Sequence, residues 1–158
     1  MSWTDPKRWE ELQKGEGCQW CQDVFSPETA DSFLVTELAA SVVRMPKNQA
    51  NRGWLIVVTK THACEIFALP KDQRHHFIDD ISKVAKAAQK IWEPVKINYA
   101  IYGNIVPHLH CHIQPRYRSE VPAPVDMNKV AEHMRRDDYT DKISRLQALL
   151  RDQKMIDF

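Results

Sequence analysis

Hydrophobic and polar residues alternate along most of this chain in short runs, and one long segment has a different period. The short runs are rich in β-branched residues and predict five strands, at residues 32–38, 40–45, 54–59, 96–102 and 108–114. The long segment follows Leu69-Pro70 and ends before Pro94, and its apolar residues recur at the spacing of one buried helical face. These residues are Phe77, Ile81, Val84, Ala85, Ala88, Ile91 and Trp92.

Shorter helices are predicted at both ends of the chain. The pair Asp5-Pro6 precedes a short capped helix over residues 7–12. Residues 129–135 and 140–151 predict two further helices near the other end. Because strands and helices are segregated along the chain, we expect an α+β fold. Its expected form is an antiparallel sheet of about five strands with one long helix and short terminal helices.

Length and composition are those of one globular unit. The chain has 158 residues, with 43% hydrophobic and 27% charged residues, which excludes a disordered protein. No internal repeat, low-complexity tract or linker divides it. We therefore expect a single domain over residues 1–158, with a core at about 18–116 and a C-terminal helical tail at 117–158. The net charge of +1 gives no reason to expect a specific nucleic-acid partner.

The chain carries no segment that predicts export or membrane insertion. The first eight residues are polar, and the most apolar run, residues 54–58, is far too short to span a bilayer. We therefore expect a cytoplasmic protein without a membrane partner. In that compartment the four cysteines are expected to be thiols or metal ligands rather than disulfides.

Three histidines occupy every second position of the last predicted strand: His108, His110 and His112. Side chains alternate along a strand, so the three are expected on one face, with the apolar residues between them facing the core. A metal site formed by all three is one alternative. On a regular strand, however, the first and third Cα atoms lie roughly 13 Å apart, whereas zinc holds nitrogen ligands at about 2.0–2.1 Å. The row suits a division of labour better, in which one histidine attacks, one binds or protonates oxygen and one sets orientation.

The segment around these histidines, residues 99–116, resembles the signature of the histidine triad (HIT) family, His-φ-His-φ-His-φ-φ with φ apolar. The turn Gly103-Asn104 precedes it, as a glycine with Gln or Asn commonly does in the family. Gln114, at the last apolar position, departs from the pattern. The resemblance covers roughly residues 18–116. It implies an antiparallel sheet carrying a long helix, usually in a homodimer.

The resemblance also implies a reaction, the attack of a histidine on the α-phosphorus of a nucleotide conjugate. His110 would form a nucleotidyl-imidazole intermediate, which water then resolves. His112 would contact a non-bridging phosphate oxygen and help with the leaving oxygen. His108 would hold the row in place and tune the tautomer of His110, and the Asn104 amide would contact the bridging oxygen or orient the water. A neutral imidazole fits this role, because it is nucleophilic near pH 7 and also leaves readily.

Residues 17–21, Gly-Cys-Gln-Trp-Cys, predict a tight turn that carries Cys18-x-x-Cys21. Alone, this spacing fits half of a zinc knuckle, a redox pair or two unconnected thiols. The resemblance to bacterial HIT proteins implies two partners, His62 and His108. The four residues would then form a closed structural zinc site of the Cys₂His₂ kind. No organic cofactor is expected.

The substrate-binding residues depart from the family pattern. Arg44 stands where relatives often carry an acidic or amide residue that binds the ribose, and Asn48 or Asn51 are alternatives for that role. Trp54 stands where relatives frequently carry histidine. Arg44 and Arg116 are candidate contacts for substrate phosphates. A solvated basic loop is the alternative interpretation for the segment after Arg44.

These features predict an enzyme that hydrolyses nucleotidyl conjugates, either dinucleoside polyphosphates or nucleoside phosphoramidates, through a covalent nucleotidyl-histidine. One alternative is a nucleotidyltransferase or phosphorylase that uses the same intermediate. Another is a zinc-stabilised nucleotide-binding or interaction module with little turnover.

Overall fold

The computed structural model describes residues 4–126 and 129–152. Within these ranges the strands are β1 (Ser32–Glu37), β2 (Ser41–Pro46), β3 (Leu55–Thr59), β4 (Lys96–Ala100) and β5 (His110–Arg116). The α-helices are α1 (Pro6–Gln13), α2 (Gln19–Asp23), α3 (Lys71–Trp92) and α4 (Arg136–Arg151), and a short 3-10 turn spans Ile66–Ala68.

The strands form one antiparallel sheet in the order β1-β2-β3-β5-β4. This arrangement confirms the α+β class and the antiparallel sheet predicted from the sequence. Strand β5 lies between β3 and β4, so its backbone is paired on both sides. In this register His110 lies opposite Val58, and His112 lies opposite Ile56 on β3 and Ala100 on β4.

The two faces of the sheet have different coverings. Helices α3 and α4 pack on one face, where Leu55, Val57, Cys111 and Ile113 belong to the main core. A smaller cluster that includes Val24, Val42, Ile56 and Val58 lies on the other face, with Trp20 and Trp54 packed against it. Because side chains alternate along β5, His110 and His112 share this second face.

Helix α3 has the predicted position and the predicted buried face. It ends at Trp92 because Glu93 adopts the left-handed conformation (φ 48°) and Pro94 follows. Asp80 anchors the helix to the sheet: its buried carboxylate accepts hydrogen bonds from the Ala40 amide at 2.9 Å and the Ser41 hydroxyl at 2.7 Å. These bonds fix the long helix against the turn between β1 and β2.

The C-terminal region forms one helix, not the two that were predicted. Residues 129–135 are not helical, because their backbone pairs with the loop after β2. The Gln49 amide donates to the Glu132 carbonyl at 2.7 Å, and the Glu132 amide donates to the Asn48 side chain at 3.2 Å. The segment therefore crosses the loop before α4 begins. Residues 153–158 of the predicted tail lie outside the described residues.

Helix α4 is part of the main core rather than an appendage. Tyr139, Leu146 and Leu150 are buried in the same cluster as the sheet residues. The Gln147 side chain donates to the Val35 carbonyl of β1 at 2.8 Å. We therefore propose that the described residues form one domain to which the tail contributes core packing. Of the helices described, none combines the length and apolar character needed to cross a membrane.

Candidate functional site

The backbone leaves the sheet ladder just before the predicted catalytic strand. The Leu109 amide donates to the Ala63 carbonyl at 2.6 Å, while the Leu109 carbonyl accepts from the Thr59 amide and hydroxyl. Strand β5 therefore begins at His110, and the prediction of a strand from residue 108 was wrong by two residues. As a result, His108 stands outside the strand and its ring lies against His62, with ring centroids 5.0 Å apart.

His108 belongs to a cluster of four side chains with metal-ligating atoms. Its Nδ1 atom lies 3.5 Å from Cys18 Sγ, 3.5 Å from Cys21 Sγ and 3.3 Å from His62 Nδ1. Cys18 is the N-cap of α2 and Cys21 lies within that helix, so the residues predicted as a tight turn form one helical turn. The two cysteines thus face the same side, and all four ligand atoms lie within 4.8 Å of one another.

The outer nitrogens of both histidines are bonded to backbone carbonyls. His108 Nε2 lies 2.8 Å from the Thr59 oxygen, and His62 Nε2 lies 3.0 Å from the Gln13 oxygen. A carbonyl only accepts, so each Nε2 carries the proton and each Nδ1 turns a lone pair to the centre of the cluster. Metal-binding histidines are usually oriented in this way.

The spacing of the cluster fits a tetrahedral ion. Zinc–nitrogen and zinc–sulfur bonds place tetrahedral nitrogens about 3.3–3.4 Å apart and a nitrogen and a sulfur about 3.5–3.6 Å apart. The N···N distance from His62 to His108 is 3.3 Å, and the two N···S distances at His108 are 3.5 Å. Burial, and then the neighbouring Cys18, raise the pKa of Cys21 to about 11, so holding Cys21 as a thiolate at neutral pH requires a cation. The four residues could therefore hold a metal.

His110 is held by a hydrogen bond at one ring nitrogen. Its Nδ1 donates to the His108 carbonyl at 2.6 Å, so the neutral ring carries its lone pair on Nε2. The side chain is nearly buried, and the Trp20 ring lies 6.2 Å away between centroids. Burial lowers the pKa of His110, which keeps the imidazole neutral at pH 7. A neutral ring with a free Nε2 lone pair is a nucleophile.

His112 presents the opposite hydrogen-bonding group. The Trp54 indole N–H donates to His112 Nδ1 at 3.1 Å, so the neutral ring carries its proton on Nε2. Its ring lies edge-on to His110, with centroids 4.9 Å apart, and 5.8 Å from the Tyr102 ring. Burial, and then the charge of His110, lower the pKa of His112 to about 4. His110 thus offers a lone pair on Nε2, whereas His112 offers a hydrogen-bond donor on Nε2.

A cleft of about 360 Å³ is connected to this pair through two tryptophans. Trp20 and Trp54, which contact His110 and His112, form part of its lining. Asp31 and Asn48 add polar groups, and His133 brings the segment before α4 into the wall. The cleft is therefore built from helix α2, the segment before β1, the loop after β2 and the C-terminal segment.

Arg44 does not line this cleft, contrary to the prediction that it contacts substrate. Its side chain is fully buried, and it donates to the Val24 carbonyl at 2.6 Å and the Ser26 carbonyl at 2.8 Å. It also donates to the Ser32 hydroxyl and carbonyl, at 2.8 and 3.1 Å. The guanidinium thus holds the loop between α2 and β1, out of reach of a solute.

Arg116 is also not brought to the histidine pair. It lies four residues beyond His112 on β5, roughly 13 Å along the strand. It donates to Glu120 at 2.9 Å and to the Val121 carbonyl at 3.0 Å, and so braces the segment that follows the strand. Its contact with substrate phosphates stays a prediction.

The remaining predicted polar residues lie in two loops. Asn104 is exposed in the turn between β4 and β5, after Gly103 at φ 67°, and its contact with substrate stays a prediction. Asn48 lines the cleft, but its side-chain oxygen accepts from the amides of Ala50 and Glu132. Asn51 is buried, and its carbonyl accepts from the Trp54 amide at 3.0 Å.

Trp54 departs from the family pattern, but the sequence predicted no role for it at the site. Trp54 precedes β3, the partner of β5, on the face shared with Ile56 and His112. Diagonal neighbours on paired strands lie within reach of aromatic side chains. Strand alternation, combined with the register, is thus the signal that would have placed the indole near His112.

Comparisons with known proteins find similar sequences and structures. A family model described as HIT domain matches residues 28–119. The crystal structure of a histidine triad protein from Bradyrhizobium japonicum has a TM-score of 0.69 at 29% identity, over 76% of this chain and 91% of that chain. An uncharacterized HIT-like protein from Methanocaldococcus jannaschii is 31% identical over 77 residues, which are 46% of this chain and 60% of that relative.

A further solved structure is similar in fold alone. It is a zinc-bound histidine triad family protein from Mycobacterium smegmatis, with a TM-score of 0.64 at 19% identity. The likeness covers 89% of this chain and 98% of that chain.

Proposed function

Because the chain belongs to the histidine triad (HIT) family, whose domain model matches residues 28–119, we propose that it hydrolyses nucleotidyl conjugates. Family membership supports a nucleotide-binding function of the hydrolase or transferase kind. The finer proposal is a hydrolase of dinucleoside polyphosphates or nucleoside phosphoramidates that attacks the α-phosphorus through a covalent nucleotidyl-histidine.

The observation that carries the proposal is the complementary pair of His110 and His112. His110 carries an Nε2 lone pair and His112 an Nε2–H donor, and their ring centroids lie 4.9 Å apart. A phosphoryl centre needs both: a nucleophile for phosphorus and a donor for the oxygen on which charge accumulates. The cleft lined by Trp20 and Trp54, at about 360 Å³, falls within the size range of ligand pockets.

In the first step, His110 Nε2 attacks the α-phosphorus and the P–N bond forms. The bond from phosphorus to the leaving group breaks, and its electron pair goes to that group. The ring becomes cationic, which strengthens its Nδ1–H bond to the His108 carbonyl. His112 Nε2–H stabilises a non-bridging oxygen, and Asn104 contacts the bridging atom or the incoming water.

In the second step, water attacks the same phosphorus. The P–N electron pair returns to His110 Nε2, one proton of the water passes to solvent, and a nucleoside monophosphate is released. His110 is thereby regenerated in the neutral state that burial favours. If phosphate or a sugar phosphate replaced water, the same intermediate would transfer its nucleotidyl group to that acceptor.

Zinc is the metal that the four-residue cluster fits. Its donor set is Cys18, Cys21, His62 and His108, the Cys₂His₂ combination of closed structural sites. The zinc-bound state named for the Mycobacterium smegmatis protein supports this choice. When bound, the ion would supply positive charge to two thiolates and tie α2 to the catalytic strand. Thiolate ligands must stay reduced, which agrees with the expected cytoplasmic location.

A homodimer is supported by the edge of the sheet formed by β4. Tyr99, Tyr102 and Ile105 expose 53%, 52% and 78% of their surface at or just after this strand. An apolar edge strand is a natural pairing surface, and a second copy would cover it. Size-exclusion chromatography of the wild type and Tyr99→Lys tests this. A monomeric wild type would contradict the homodimer.

The reaction is tested by nucleotide release. Wild type, His110→Ala and the exposed control His76→Ala are incubated with diadenosine tetraphosphate and with adenosine 5′-phosphomorpholidate. His110→Ala is expected to lose more than about 10³-fold in kcat/KM, the scale of losing a covalent nucleophile, while His76→Ala keeps the wild-type rate. Equal rates for His110→Ala would contradict the mechanism.

Two additions to this assay separate the alternatives. Added phosphate that diverts the product from AMP to ADP identifies a phosphorylase. Tight binding of nucleotide with no release from either conjugate identifies a binding module.

A further inference from the structure

Trp54 is held rigidly by the loop that precedes β3. Its amide donates to the Asn51 carbonyl at 3.0 Å, and its carbonyl accepts from the Gln49 side chain at 3.2 Å. Gly53 before it is left-handed (φ 80°), with the Trp92 side chain so close that a Cβ atom would lie 2.8 Å from it. The indole therefore has a fixed backbone position from which it reaches His112.

The hydrogen bond between Trp54 and His112 can have only one direction. An indole nitrogen donates and cannot accept, so the His112 Nδ1 atom, 3.1 Å away, must be the acceptor. A protonated His112 would carry N–H groups on both ring nitrogens and would lose this bond. The Trp54 indole therefore stabilises the neutral ring with its proton on Nε2.

A neutral His112 can donate a hydrogen bond, but it cannot act as an acid. Loss of the Nε2 proton would leave an imidazolate, since Nδ1 has no second proton. The proton on His110 Nδ1 is bonded to the His108 carbonyl and points away from the reacting nitrogen. Neither histidine of the pair is thus arranged to pass a proton to a departing group.

This arrangement separates two classes of conjugate. The leaving group of a phosphoanhydride departs as a phosphate-type anion, which takes the electron pair of the P–O bond and needs no proton. An amine must be protonated on nitrogen before the P–N bond breaks. A fixed donor at His112 stabilises the developing oxygen charge of the first class and gives no proton to the second.

We infer that Trp54 is a positioning residue that holds His112 as a neutral hydrogen-bond donor, so that the site selects phosphoanhydrides over conjugates that release an amine. The inference rests on the proposed function and names its substrate class. Dinucleoside polyphosphates are the preferred substrates, and nucleoside phosphoramidates are poor ones.

The hydrogen bond is tested first without turnover. In ¹⁵N-labelled protein, His112 of the wild type is expected to show a protonated Nε2 and an unprotonated, hydrogen-bonded Nδ1. Trp54→Phe keeps an aromatic ring but removes the N–H, and the Nδ1 resonance is expected to shift toward that of a free lone pair. Trp20→Phe removes the other indole of the cleft and should leave the resonance in place. An unchanged Nδ1 in Trp54→Phe would overturn the inference.

Selectivity is tested with the same variants. The wild type is expected to favour diadenosine tetraphosphate over adenosine 5′-phosphomorpholidate in kcat/KM. Trp54→Phe should reduce that ratio about tenfold, which corresponds to about 1.4 kcal/mol and lies within the range of one hydrogen bond. Trp20→Phe should alter both rates by a similar factor and so keep the ratio.

These outcomes separate a failure of the proposed hydrolase function from a failure of the proposed selectivity. A wild type that releases morpholine from the morpholidate as readily as ATP from diadenosine tetraphosphate would overturn the selectivity while leaving the proposed hydrolase intact. A ratio unmoved by Trp54→Phe would do the same. If neither conjugate is cleaved, the proposed function fails and the selectivity with it. The ¹⁵N measurement then still decides whether Trp54 fixes the ring of His112.

Discussion

His110 donates its Nδ1–H to the backbone carbonyl of His108 at 2.6 Å. The same His108 turns its side chain to Cys18, Cys21 and His62. One residue thus links the proposed nucleophile to the cluster that could hold a metal. Anything that displaces His108 is expected to change both the stability of the N-terminal region and the orientation of His110.

Loss of a metal ligand tests this link. Cys18→Ser is expected to lower the free energy of unfolding by more than about 3 kcal/mol, which lowers Tm by roughly 6–12 °C. It should also reduce the metal content and kcat. Cys64→Ser is the matched control, because Cys64 lies outside the four-residue cluster. Metal analysis, thermal melting and AMP release measure these effects, and a Cys18→Ser protein that melts like wild type would exclude a structural metal.

Arg44 is predicted to act on stability rather than on substrate. Arg44→Met removes the donor to two loop carbonyls and to Ser32, so it should destabilise the fold by about 3 kcal/mol. KM of the folded fraction should stay close to the wild-type value. Chemical denaturation together with steady-state kinetics separates the two effects. A large rise in KM at unchanged stability would restore the phosphate-binding role predicted from the sequence.

Helix α4 is predicted to be essential for the core. Leu146 is fully buried against the sheet and α3 cluster, so Leu146→Ala should cost about 2–5 kcal/mol in unfolding free energy. Val130→Ala is the control, because Val130 is 87% exposed just upstream of the helix. Urea denaturation measures both variants, and equal stabilities would show that the tail is dispensable.

The depressed pKa of His112 predicts a dependence of stability on pH. The folded chain binds a proton at His112 only near pH 4, whereas the unfolded chain binds it near the ordinary value of 6.5. Protons therefore favour the unfolded state, and stability falls as the pH drops from 6.5 to 4. The full loss from this group is about 3 kcal/mol.

Comparison with a variant isolates this group. His112→Gln cannot titrate, so the difference in unfolding free energy between it and the wild type should change across the interval from pH 6.5 to 4. Above pH 7 the difference should be constant. A difference that stays constant down to pH 4 would mean that His112 is not held neutral in the folded protein.

The amino-acid sequence by itself determined the elements and the family. The apolar spacing of residues 71–92 and the β-branched runs predicted the long helix and all five strands within a few positions. These features depend on the local period of side chains, which sequence contains directly. The alternation at His110 and His112 likewise placed both rings on one face, and the motif around them identified the family.

Only the tertiary structure decided how the polar residues are used. Arg44 turns inward because carbonyls 18 and 20 residues away accept its hydrogen bonds. His108 leaves the row because the Leu109 amide bonds to the Ala63 carbonyl rather than to strand β3. The Trp54 indole donates a hydrogen bond to His112, which lies 58 residues further along the chain. Each of these outcomes depends on a contact between residues distant in sequence, and the local hydrophobic pattern contains no information about such a contact.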